Sequence, residues 1–219
     1  MGLFTKKEET TEVSEDVVTK IISELVSFGI EGRGPLKSAE AIAEKARKAA
    51  PGNTEKAIQQ IVGDHVKAAT AGGFVTGLGG FVTMPVALPV NVAEFYVLAT
   101  RMTAAVAHLR GYDLNKPEVR AAVLVTLTGA KADEVLQKVG MGGAAGGSIT
   151  RLALSKLPAA ALMVVNKGVG FQIMKATTVK LLPKLGKGIP VAGGLVGGGL
   201  DAWMINRIAS HARKEFPQV

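Results

Sequence analysis

Apolar residues recur at Val17, Ile21, Leu25 and Phe28, the spacing of one helix face. Ser14 in front, with Glu15 and Asp16 in a first turn, predicts a helix running to about Phe28. The stretch from Glu31 to Lys37, EGRGPLK, reads as a linker, and Ser38 caps a second helix that Pro51-Gly52 ends. Thr54 opens a third, to about Ala71, with Ala57, Ile58, Ile61 and Val62 inward. Between Ala68 and Ala93 lie 26 residues without a charge, interrupted by five glycines and two prolines. A single straight transmembrane helix does not tolerate that composition well. It reads instead as a glycine-rich helix to about Val82, a turn at Met84 to Leu88, and then a long helix: an apolar hairpin.

That long helix, Leu88 to Arg110, organises the chain. Pro89 suits its first turn, and Gly111 suits the left-handed residue just past its end. Its ionisable residues before Arg110 are Glu94, Arg101 and His108, spaced by seven and hence in one narrow stripe. Such a helix belongs in a core or against lipid. Asn115 to Glu118, NKPE, matches a capping box. Shorter helices follow over Lys131 to Val139 and after Ser148. A longer one runs from Pro158 to about Leu182, and the last from Leu200 to Glu215. No run alternates as a strand would. The fold class is therefore all-α: a single helical domain of about seven to nine helices over residues 14–219, behind a flexible polar tail at 1–13. Small residues four apart, Gly73/Gly77, Gly142/Gly146 and Gly193/Gly197, predict close helix packing.

Charge changes this picture. The 219 residues carry a net charge of +8, and none of the 66 residues between Glu134 and Asp201 is acidic. That acid-free region, 135–200, holds eight cations, while the rest of the chain balances. The lysines at Lys156, Lys167, Lys175, Lys180, Lys184 and Lys187 form its candidate anion-binding set. Lys156, Lys167 and Lys175 fall near one side of a helical wheel, beside an apolar face of Leu162, Val165, Val169 and Ile173. Nucleic acid is a poor partner, because the region has one arginine and one phenylalanine for stacking. Lysine beside large apolar surface is the pattern of an element lying on anionic membrane. Mean hydropathy is +0.28, high for a soluble chain.

Candidate chemistry is sparse. There is no cysteine, so thiolate sites and disulfides are excluded. His65, His108 and His211 lie on three predicted helices without ligand spacing, so no metal is expected. Gly140-x-Gly142-x-x-Ala145 follows a helical pattern rather than a strand, and Gly186-Lys187 lacks the Ser or Thr of a phosphate loop. No catalytic residues and no cofactor follow. The stripe Glu94, Arg101, His108 is either a wet edge or a buried network, with Asp201 and Arg207 of the last helix as partners.

Several segments together resemble the EcsC family of bacterial proteins. One runs from Ala87-Leu88-Pro89 through Arg101 to His108-Leu109-Arg110-Gly111-Tyr112-Asp113-Leu114. Another is Gly188-Ile189-Pro190-Val191-Ala192-Gly193-Gly194 leading to Asp201, where the family more often has Asn. The resemblance implies a helical, membrane-associated protein, the namesake being encoded beside an ABC transporter; it supplies no catalytic residues. The resulting expectation is a non-enzymatic protein on the cytoplasmic face of the cell membrane. It would adsorb through region 135–200 and serve a membrane-protein partner or a homo-oligomer. The alternatives are a soluble small-ligand binder or enzyme with a pocket around Glu94, Arg101 and Asp201, and an obligate oligomeric structural protein.

Overall fold

The computed structural model describes residues 15–34, 36–70, 90–141, 154–181 and 192–219, without the side chains of 90, 91, 130, 133, 176–181 and 192–198. Those residues form eight α-helices and no strand: α1 (Glu15–Glu24), α2 (Ala39–Ala49), α3 (Thr54–Thr70), α4 (Val90–Leu109), α5 (Pro117–Thr126), α6 (Ala132–Gln137), α7 (Ala159–Leu181) and α8 (Ala192–Glu215). The protein is an all-α single domain.

Local chemistry explains most boundaries. The Ser38 hydroxyl accepts from the Ala41 N–H at 3.2 Å and starts α2. Asn53 Oδ1 accepts from the Lys56 N–H at 2.9 Å, so Asn53 caps α3 one residue ahead of Thr54. Gly111 takes φ +94 just after α4, a conformation few other residues adopt readily. The expected capping box does not form. Asp113 Oδ1 accepts the Asn115 N–H at 2.9 Å, the chain turns there, and α5 starts with Pro117 in its first turn and Lys116 as an uncapped lead-in. After α1 the helical path continues as a π-helix over Leu25–Glu31, three residues beyond the expected end, and closes on Gly32.

α4 carries the core. Every side chain from Ala93 to Ala107 is buried. The helix packs against the π-helix, α2, α3, α5 and α8. Burying a side chain such as Leu98 or Met102 contributes about 1.5–3 kcal/mol. Thr100 and Thr126, buried on α4 and α5, donate their hydroxyls to the carbonyls of Tyr96 and Ala122 at 2.7 and 2.8 Å and so enter the core satisfied. α8 lies on α3, α4 and α5, and Phe216 beyond its end meets Tyr112 edge to face. α7 packs on α1, α5 and α6.

Close crossings occur at glycines the four-apart pattern did not single out. A Cβ on Gly29 would lie 2.7 Å from Thr100 Cβ, so the π-helix sits directly on α4. A Cβ on Gly170 would lie 2.6 Å from Val18 Cγ1, where α7 meets α1. A Cβ on Gly168 would lie 3.1 Å from Val135 Cγ1, closer than an ordinary contact. Gly73, Gly77, Gly142 and Gly146 lie outside the described residues. So do the surroundings of Gly193 and Gly197, although both belong to α8. That helix begins eight residues before the expected Leu200, running through the glycine cluster rather than after it. Glycine lowers helix propensity without forbidding helix, so a cluster that reads locally as a break can still be helical.

Candidate functional site

The polar stripe of α4 is buried at one end and wet at the other. Glu94 and Arg101 are each 6% exposed, whereas His108 is half-buried. His108 Nε2 meets Glu44 Oε1 at 3.0 Å, and Arg47 of α2 bonds the same carboxylate at 2.6 Å. The Glu44 carboxyl is held below its ordinary range, chiefly by the His108 hydrogen bond. Arg101 Nη2 donates to the Lys37 carbonyl at 2.7 Å, and no carboxylate among the described residues pairs with Arg101. Arg207 is exposed and stacks its guanidinium 5.3 Å over Trp203, while Asp201 is half-buried on the same helix. The seven-residue spacing places Glu94, Arg101 and His108 on one line of α4, but the partners come from α2 and the segment leading into it, which spacing cannot name. Burial raises the Glu94 carboxyl, and Glu94 Oε1 has no hydrogen-bond partner among the described residues.

Arg101 lines a cavity of about 360 Å³ between α2, α3 and α4. Its floor is Arg101 with His65, also 6% exposed; its mouth holds Lys37, Lys45 and Asp64, all exposed. Neither Glu94 nor Asp201 is among the described lining residues. Burial lowers Arg101 to about 10, so it stays cationic at neutral pH. Burial lowers His65 to about 4, so its ring is neutral, and Nδ1–H donates to the Ile61 carbonyl at 2.8 Å. Nothing in the spacing along α4 names Lys37, Lys45 and His65 as companions of Arg101. The signal that could have found them is weak: His65 falls four residues after Ile61, on the inner face of α3.

The lysine set is partly dispersed. Lys156 lies in the turn before α7 rather than on it, so its helical-wheel relation to Lys167 does not hold. Lys156 and Lys175 are exposed. Lys167 is not free of acids in space: its Nζ bonds Glu15 Oε2 of α1 at 2.6 Å, and this holds Glu15 below its ordinary range. Glu134 likewise accepts from Gln172 Nε2 of α7 at 2.8 Å. A region without acids in sequence thus borrows them from α1 and α6. The Lys180 side chain, Lys184 and Lys187 lie outside the described residues.

α7 shows a feature the wheel did not assign. Leu162, Val165, Val169 and Ile173 are buried as expected, yet Met163 is 60%, Val164 43% and Phe171 42% exposed. With Lys167 and Lys175 these form one stripe at three- and four-residue spacing along the outer face. The Lys138 ammonium lies 5.4 Å from the Phe171 ring centre. The clue in the sequence was that α7 is apolar on nearly every side, so one apolar side had to remain outside. Among the described residues no helix is long and apolar enough to cross a membrane, and no three His, Asp or Glu side chains converge as a metal site would require.

An all-α domain wrapped on one buried helix, with an outward apolar stripe set among lysines, defines a class of helical protein built around surfaces and a pocket rather than a β-scaffolded cleft. Within it the chain belongs to the EcsC protein family, whose model matches residues 7–218. No curated protein and no solved structure matches the chain.

Proposed function

We propose that this is a non-enzymatic peripheral protein that adsorbs to the cytoplasmic face of an anionic bacterial membrane, as an accessory to a membrane-embedded assembly. The observation that carries this reading is the outer stripe of α7. Met163, Val164 and Phe171 face outward where a solvated helix would carry charges, and Lys175 continues the stripe. Trp203 and Leu200, exposed on α8 with Arg207, repeat the combination. Apolar side chains of this size enter the headgroup boundary while cations hold the lipid phosphates, each lysine near the surface contributing about 1 kcal/mol. The net charge of +8 fits that partner.

The test is co-sedimentation with neutral and anionic vesicles at about 0.1 M and about 1 M salt, where screening lengths are near 10 and 3 Å. Wild type should pellet with anionic vesicles and be released by salt. A variant with Gln at Lys156, Lys167, Lys175, Lys180, Lys184 and Lys187 should remain in solution. Equal binding of both proteins to neutral vesicles would replace electrostatic adsorption with apolar insertion. Binding to no vesicle would end the membrane reading and favour an oligomer that covers the α7 stripe, visible as a larger species by light scattering.

A further inference from the structure

We propose that the cavity between α2, α3 and α4 is a binding site for a small oxyanion, a carboxylate or phosphate, anchored by Arg101. This is independent of the α7 surface. The first reason is the state of Arg101. A guanidinium buried to this degree ordinarily faces a carboxylate, because an uncompensated charge costs several kcal/mol to desolvate. Here one N–H group bonds the Lys37 carbonyl, and Nε is buried without an acceptor among the described residues. The head keeps its charge and has donors to spare.

The second reason is the sign of the walls. Arg101, Lys37 and Lys45 face one carboxylate, Asp64, so the described lining carries two cations in excess. Asp64 is exposed at the mouth and forms no ion pair with Arg101. His65, which could have added a third excess cation, is kept neutral by burial. Cations at the mouth above the buried Arg101 guanidinium, between low-dielectric walls, focus the field and draw anions inward.

Size and shape limit the ligand. A volume of about 360 Å³ lies at the small end of small-molecule sites, roughly 300–1,000 Å³. Leu36, Ile42 and Leu98 supply apolar wall beside the cations. The fit is an anionic head of carboxylate or phosphate size with a short apolar or glycerol-sized remainder. A guanidinium matches both heads through paired N–H donors. Such a head could arrive as a free solute or on a lipid, and the two sources are separable.

The experiment uses the full chain and reads thermal midpoints and calorimetric affinity. The probes are inorganic phosphate, butyrate and glycerol 3-phosphate, each against chloride at matched ionic strength, and vesicles with and without phosphatidic acid. At least one free probe, or the phosphatidic acid vesicles alone if the source is lipid, should raise the wild-type midpoint. Arg101→Met should weaken that binding by about a hundredfold, as loss of a buried charged partner does. Lys45→Gln sits at the exposed mouth and should weaken it by about threefold, the scale of an exposed charge contact. It keeps the proposal testable if Arg101→Met fails to fold. The six-lysine Gln variant described above should bind the free probes as wild type does, which separates this site from the α7 surface. Equal midpoint shifts in wild type, Arg101→Met and Lys45→Gln, or no shift with any probe, would overturn the site.

Discussion

Arg101 and His65 show how burial changes what a charged residue is worth. Arg101 has a backbone acceptor and, among the described residues, no carboxylate partner, so Arg101→Met strands no described carboxylate. It should cost at most about 2 kcal/mol, the range of one charged hydrogen bond, rather than the roughly 3–5 kcal/mol of breaking a buried pair. Urea unfolding of the variant checks this; a loss above that range would mean a buried acid does depend on Arg101. His65 gives a pH signature. Its folded value of about 4 lies below the ordinary 6.5, because burial and the neighbouring Arg101 outweigh Asp64 and the Ile61 hydrogen bond. The unfolded chain therefore takes up a proton between pH 6.5 and 4 that the folded chain does not. This stability is complete above about pH 6.5 and is lost as pH falls toward 4, by about 3 kcal/mol at about 1.4 kcal/mol per unit. Between pH 7 and 4.5, wild type should lose about 2–3 kcal/mol more than His65→Gln. Parallel losses in the two proteins would mean the ring is solvated.

The helices themselves divide the glycines into two kinds. Gly29 and Gly170 stand where a neighbouring chain already occupies the space a side chain would need, whereas Gly63 and Gly199 face open space. Gly29→Ala and Gly170→Ala should each destabilise by about 1–3 kcal/mol through overpacking. Gly63→Ala and Gly199→Ala should raise stability by up to about 1 kcal/mol, since alanine favours helix. Thermal midpoints moving the same way in all four would contradict this division. The same contrast explains what could be read from the chain. Ser38, Gly111 and the inward face of α3 were legible because each depends on residues within a turn or two. The α8 start and the packing glycines were not, because whether glycine breaks a helix or lets another helix approach is decided by the partner surface. Lys167 is the parallel case for charge: Glu15, its partner, lies 152 residues away.

Across the whole molecule, sequence asymmetry and spatial asymmetry differ. Region 135–200 has no acids of its own, yet α1 and α6 bring Glu15 and Glu134 against α7. In the proposed adsorption, Lys167 therefore counts for less than the exposed Lys156 and Lys175, and the apolar stripe of α7 for more than charge counting suggests. Buried Glu94, Arg101 and His65 sit on elements away from that stripe, in the cavity or along α4. The molecule thus presents two separable features, an outward α7 and an inward Arg101 pocket. Of the candidate site, the stripe on α4 was legible as a line of residues. Its partners were not, because Lys37 and Glu44 lie more than sixty residues away in sequence.

The claim that α7 meets the membrane is tested most directly by a reporter on α7 itself. The chain has one tryptophan, Trp203, so a Trp203→Phe, Phe171→Trp variant carries its only indole on the stripe. With anionic vesicles its emission should shift to the blue and be quenched by lipids brominated near the headgroup end of their chains, and about 1 M salt should weaken both effects. Emission that stays at the value of free protein while the variant co-sediments with the vesicles would place the contact elsewhere on the molecule and contradict the account.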